Sequence, residues 1–284
     1  MSRRRSGRSV VLAAATVLLA CLAFELGDRL RRRRQELAHS RLLYLPRAEA
    51  LRLISFGFDS LLADLIYLWS IQYYSETDNP LRFEKIEHIF NVITDLDPHY
   101  LDVYSIGALI MTFDYHDPDL ALKLLDRGIA RNPQQWILPL DAGLYARMNR
   151  NDHALAARYF ARAMTIPNAP KISPRLYAGS LEQAGDKRAA LEMWRSIFHD
   201  ADDDHVRAIS RRRAEQLEVE LELETLRAAL SRYRADHGRL PGRLEALAPD
   251  YVAALPLDPQ GQPYLYDPRS GEVSRAGGFQ VARG

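Results

Sequence analysis

The chain has 284 residues, 47% hydrophobic and 26% charged, an ordinary globular composition with ample capacity to bury a core. The net charge of +1 conceals an asymmetry: residues 1–34 hold nine arginines against Glu25 and Asp28, which leaves 29 basic and 35 acidic residues, a charge of −6, in the remainder. An acidic body argues against nucleic-acid binding, and a single cysteine, Cys21, excludes an internal disulfide and a multi-cysteine metal centre.

Residues 1–9, MSRRRSGRS, are a basic N-terminus. Val10–Phe24 is then a run of 15 uncharged residues, or 17 when stretched to Leu26. That is the short limit of the roughly 17–25 residues a spanning helix needs, and arginines at both ends can snorkel to make up the difference. Residues 10–26 are therefore expected to be a transmembrane or signal-anchor helix, followed by a basic linker over 27–41. Two other readings stay open. One is a cleaved signal peptide. The other is a lipoprotein, because Leu18-Leu19-Ala20-Cys21 resembles a bacterial lipobox in which Cys21 would carry the lipid. Cys21 also suits a small apolar position in a membrane helix. Arg3, Arg4, Arg5 and Arg8 precede the run and Arg29 and Arg31–Arg34 follow it. The positive-inside count is thus indecisive, leaning slightly to a cytoplasmic body.

From Leu42 to about Arg213 the pattern predicts successive amphipathic helices divided by Pro and Asn/Asp/Gly. Leu53–Tyr74 is almost wholly apolar, but Asp59 and Asp64 would be costly in lipid. A buried first helix is the expectation there, not a second span. A period then emerges. Ile86, Phe90, Ile93 and Pro98 are followed by Ala121, Leu125, Gly128 and Pro133, then by Ala156, Phe160, Ala163 and Pro167, then by Ala190, Trp194 and Ile197. The first members lie 35, 35 and 34 residues apart. His116-Asp117-Pro118-Asp119, Asn151-Asp152 and Gly185-Asp186 supply a turn before the last three sets.

This spacing resembles the second helices of tetratricopeptide (TPR) repeats with their terminating proline, which the fourth set lacks. The resemblance implies a helical solenoid over 42–213; an ordinary helical bundle is the alternative. The phrase Phe58-Asp-Ser-Leu-Leu-Ala-Asp-Leu65, with Trp69 and Tyr73-Tyr74, also resembles the opening of a group of bacterial membrane-anchored repeat proteins with no known activity. In the repeat frame, the first helices would present Asp102, Asp141, Tyr145, Asn149, Arg175 and Glu182 on a partner-binding wall. The mixed signs suit a peptide or folded protein partner, with Tyr145 as an affinity anchor.

Residues 214–284 are expected to be a charged helix and a small α+β tail, with the acidic run Glu215–Glu224 as a solvated face. Tyr233, Asp236, Gly238, Pro241, Leu255-Pro256, Asp258-Pro259, Gly261 and Pro263-Tyr264 resemble the globular end of type II secretion major pseudopilins. The methylation motif and assembly helix of that family are absent at the start of this unit, and Gln260 stands where an aromatic is usual. The resemblance implies a borrowed small fold, an envelope setting and calcium binding. Asp258 and Asp267 are the candidate ligands, although Asp beside Pro and Gly more often shapes turns.

No phosphate loop, HExxH, nucleophile elbow or paired-cysteine motif is present. The only dense metal candidate, His199 to His205, reads equally as helix-capping aspartates. The expected fold is thus mainly α: one N-terminal membrane helix, a TPR-like solenoid and a pseudopilin-like tail. The expected role is a non-enzymatic scaffold or assembly factor without cofactor, binding proteins through its repeats and the membrane through residues 10–26. The expected location is the bacterial inner membrane, single-pass, with a periplasmic body implied by the resemblances. An enzyme built from scattered residues, or a pseudopilin-like filament component, are the alternatives.

Overall fold

The computed structural model describes residues 45–75 and 82–276, with Glu25 and Gly27–Arg29. Cys21 and nearly all of the expected span at 10–26 lie outside these residues. The described chain is mainly helical, and no helix in it is long and apolar enough to cross a membrane. It divides into two compact units, residues 1–124 and 125–284.

The first unit contains α1 (Ala48–Ser55), α2 (Asp59–Ser75), α3 (Ile86–Leu96), α4 (Leu101–Phe113) and the start of α5 (Pro118–Arg131). On α3, Ile86, Ile89, Phe90 and Ile93 recur at helical spacing and are all buried. Asp97 caps the helix, and Pro98, which cannot continue it, follows. The Pro98 carbonyl accepts the Tyr104 hydroxyl at 3.1 Å, tying the turn to α4. Tyr74 of α2 stacks on Phe90 with ring centroids 5.9 Å apart. Gly107 lets α4 close on this ring: a Cβ there would sit 2.6 Å from Phe90 Cδ1 and 2.7 Å from Leu124 Cδ2.

The apolar stretch Leu53–Tyr74 departs from expectation. Phe56 (φ 52°) and Gly57 (φ 87°) break it into two helices. One side of α2, with Ala63, Ile66, Tyr67 and Ser70, is buried. The other side is not: Leu61, Leu65 and Leu68 are 55–61% exposed, and Phe56 at the bend is 88% exposed. A helix apolar all round normally signals burial on every side. Here α1 and α3 pack on α2 and leave this strip uncovered.

The second unit contains the rest of α5, then α6 (Ile137–Met148), α7 (His153–Met164), α8 (Ser173–Gln183), α9 (Lys187–Asp200) and α10 (Asp204–His237). Each of α6 to α9 packs on the next, and α9 packs on α10. Phe160 of α7 is fully buried and presses on Gly143 of α6, where a Cβ would lie 2.6 Å from Cδ1 and 2.9 Å from Cζ. One turn design recurs. A residue with positive φ (His116, Asn151, Gly185) precedes an aspartate (Asp117, Asp152, Asp186), which accepts the backbone N–H three residues on at 2.9, 2.9 and 3.2 Å. The left-handed residue turns the chain and the aspartate caps the helix that follows, a contribution of about 1 kcal/mol per cap.

α10 is 34 residues long, about 50 Å at 1.5 Å per residue. It passes without a break through Arg213–Ala214, where the sequence suggested a boundary. Its first half, with Ala214 and Leu217, shares a core with Ala178, Leu181, Ala190, Leu191 and Trp194. Its second half, with Leu226, Ala229 and Leu230, shares another with Leu247, Val252, Tyr264 and Val273 of the tail. The tail adds a 3-10 turn (Leu244–Leu247) and a two-stranded antiparallel hairpin, β1 (Leu265–Tyr266) on β2 (Val273–Ser274), with Leu265 opposite Ser274. The acidic run is not simply a solvated face. Glu218 pairs with Arg195 at 2.7 Å, Glu220 and Glu224 hold Lys187 at 2.9 and 2.7 Å, and Glu222 accepts the Tyr264 hydroxyl.

Candidate functional site

The six residues expected on a partner-binding wall fall in both units. In the first unit, Asp102 occupies the exposed first turn of α4. Its charge adds to burial in pushing the Tyr67 phenol up.

The other five lie in the second unit. Asp141 and Tyr145 are four residues apart on α6 and therefore neighbours on its surface. Tyr145 is half-buried, and its phenol is pushed up to about 12 by burial first and the Asp141 carboxylate second. Asn149 is exposed at the C-cap of α6, its N–H donating to Tyr145 O at 3.0 Å. Arg175 and Glu182 are seven residues apart on α8, two turns along the same side. Both are drawn towards α10. Arg213 approaches Glu182 at 3.4 Å, and the Asp203 carboxylate is lowered by the Val206 backbone N–H first, with a smaller contribution from Arg175. The sequence divided α10 at Arg213–Ala214 and gave no sign that its first half packs beside α8.

Arg175 lines a pocket of about 450 Å³ formed by the end of α7, the start of α8, the end of α9 and the start of α10. Met164, Met193, Ile197 and Val206 make it apolar, and Lys171, Asp200, Asp202 and Asp203 give it charge. Lys171 and Asp202 pair at 2.9 Å on the exposed rim, raising the amine and lowering the carboxyl. Arg175 Nε is buried and has no acceptor among the described residues. A buried N–H of this kind gains from an incoming carboxylate or carbonyl oxygen. Methionines, which adapt in shape, suit a side chain of variable form. The pocket was missed in the sequence because its residues come from four elements. The only local clue was the Asp202–Asp204 cluster, and there Asp203 accepts Val206 N at 2.9 Å as the N-cap of α10.

His199 and His205 are exposed at the end of α9 and the start of α10. No group of three or more His, Cys, Asp or Glu able to hold a metal occurs among the described residues.

The calcium candidates Asp258 and Asp267 both have partners within the fold. Asp258 is 4% exposed, pairs with Arg275 at 2.7 Å, and accepts the backbone N–H groups of Gln260 and Gln262. Asp267 accepts Arg269 N and the Ser270 hydroxyl, closing the turn between β1 and β2. A cation at Asp258 would have to displace Arg275. The Arg275 hydrogen bond, then the Gln262 N–H, hold the Asp258 carboxyl below its ordinary value. A depressed carboxyl stabilises the fold fully above the unfolded value, near 3.9, and that contribution is lost as pH falls through the folded value. Thermal melts of wild type and Asp258→Asn between pH 2 and 6 should therefore converge towards the acid end and separate above about pH 4. A constant gap across the range would contradict the ion pair.

No protein-family model and no curated protein sequence matches the chain.

Proposed function

We propose that the protein is a non-enzymatic, membrane-anchored scaffold of tetratricopeptide-like repeats. It holds a protein partner on the α6–α8 side of its second unit, with the Arg175 pocket taking an apolar side chain and a neighbouring oxygen acceptor. The observation that carries this reading is the pocket itself: apolar, adaptable, and carrying a buried guanidinium N–H without an acceptor. The 35-residue recurrence of Asp-capped helices supports a repeat architecture. The run Val10–Phe24 supports an anchor, which raises the effective concentration of the repeats near membrane partners. The tail pattern supports an envelope setting in secretion or pilus assembly, with the body in the periplasm. A reporter active only outside the cytoplasm, fused after Gly284, tests that side; silence there with an active cytoplasmic reporter would place the body inside.

The binding claim is tested with Tyr145→Ala combined with Arg175→Ala in the full chain. The double variant should lose tenfold or more of partner capture, of the order that truncating anchor residues costs, while its melting transition is retained. Unchanged capture would remove the assignment.

A further inference from the structure

We propose that the α1–α2 hairpin is a second membrane contact, lying on the bilayer surface with the Phe56 bend and the Leu61–Leu65–Leu68 strip dipped into the headgroup–acyl boundary. This rests in part on the anchored reading above, since the anchor brings the hairpin to the surface.

The exposed side chains are contiguous in two senses. Leu61, Leu65 and Leu68 follow at intervals of four and three, a single helical stripe, and Ile71 continues it. At the end of the hairpin, Leu53, Ile54, Phe56 and Phe58 are 64–88% exposed. Single exposed leucines are commonplace, but a cluster of this size marks an interaction surface. Bulky aromatic and aliphatic side chains at a bend and along one stripe are what an interfacial helix inserts to about 5–10 Å.

Three observations favour lipid as the occupant. The first is reach: 20 residues separate Phe24 from Leu45, and an extended chain of that length spans up to about 70 Å, so the hairpin cannot leave the vicinity of an anchored residue 24 by more than that. The second is charge: residues 27–52 carry eight arginines (29, 31–34, 41, 47 and 52) against Asp28, Glu36 and Glu49, which complements anionic headgroups. The third concerns the two acids that would oppose docking. Asp59 is engaged by Arg52 at 3.6 Å and by the Ser55 hydroxyl, and Asp64 lies beside the Tyr100 phenol, which burial first and then the Asp64 carboxylate push up. The Asp59 carboxylate is therefore partnered before lipid approaches, and a polar hydroxyl stands beside Asp64.

The single native cysteine makes the test clean. In a Cys21→Ser background, full-length protein is given one cysteine at a time by Phe56→Cys, Leu65→Cys or Ala13→Cys. Each is labelled with an environment-sensitive fluorophore and reconstituted into vesicles of phosphatidylcholine and phosphatidylglycerol, with or without brominated acyl chains. Circular dichroism checks that each variant keeps its helix content. Labels at 56 and 65 should lose about half or more of their emission in brominated vesicles, as expected for a depth near the acyl boundary. Quenching at 13 without quenching at 56 and 65 would overturn the docking while leaving the anchor standing. Quenching at 56 and 65 without quenching at 13 would sustain the docking and remove the anchor. A blue-shifted but unquenched label at 56 and 65 would mean a protein occupant, a second copy or residues 10–24 of this chain, and would also overturn the proposal.

Discussion

Gly143→Ala should destabilise the second unit, although the same change in most helices would stabilise it. Two effects oppose each other. Replacing a helical glycine by alanine restores about 1 kcal/mol of helix propensity. At Gly143 the new methyl would sit 2.6 Å from Cδ1 of Phe160, a fully buried ring with no room to retreat. Overpacking of that kind costs about 1–3 kcal/mol and sometimes more, so the clash wins and a net loss of about 1–2 kcal/mol is expected. Gly179 of α8 is the matched control, because nothing lies within 4 Å of its missing Cβ. Gly179→Ala should gain up to about 1 kcal/mol. Chemical denaturation of both variants reads the sign directly. Adding Phe160→Leu should offset part of the Gly143→Ala loss, giving a favourable coupling in the double-mutant cycle. Additive losses would mean that the ring is not what the methyl meets.

Ending the chain at Arg213 should cost more than any single substitution. That position reads as the end of the repeats in the sequence, yet Ala214 and Leu217 lie in the same core as Ala178, Leu181 and Trp194. Leu217 is 2% exposed, so Leu217→Ala alone should cost about 2–5 kcal/mol. Truncation removes Leu217 and Ala214 together, along with Glu218, Glu220 and Glu224 that pair with Arg195 and Lys187. The exposed pairs add little individually. The loss comes from the apolar core, and the truncated chain should give a broad, low-temperature melt where the full chain gives a cooperative one. A sharp, unshifted transition would show that residues 42–213 are self-sufficient.

How far the sequence revealed these features depends on how local their causes are. The helices α3, α5, α7 and α9 could be found because Ile86, Ala121, Ala156 and Ala190 recur at nearly constant spacing and prolines close three of the four sets. Their turns were visible too, since a left-handed residue followed by a capping aspartate is a two-residue device. α10 was misdivided because its clue was charge: Arg211–Arg213 followed by a glutamate-rich run looks solvated until α9, with Lys187 and Arg195, is placed beside it. Calcium at Asp258 was suggested by the family resemblance, and its pairing with Arg275 was not legible because Arg275 lies 17 residues further on. The uncovered side of α2 was hidden for a different reason. Hydrophobicity on every side of a helix states that the helix wants cover, and carries no record of whether protein or something else supplies it. The Arg175 pocket combines four elements, and only the helix packing brings its methionines and Arg175 together.

The most direct test of the scaffold reading is photo-crosslinking from position 145. A photoreactive residue replacing Tyr145 in the full-length chain, activated in intact cells, should give a discrete protein adduct. That adduct should fade when Arg175→Ala is added, because the proposed holding surface includes both residues. No adduct, or one whose yield ignores Arg175→Ala, would contradict the claim that the second unit works by holding a protein partner.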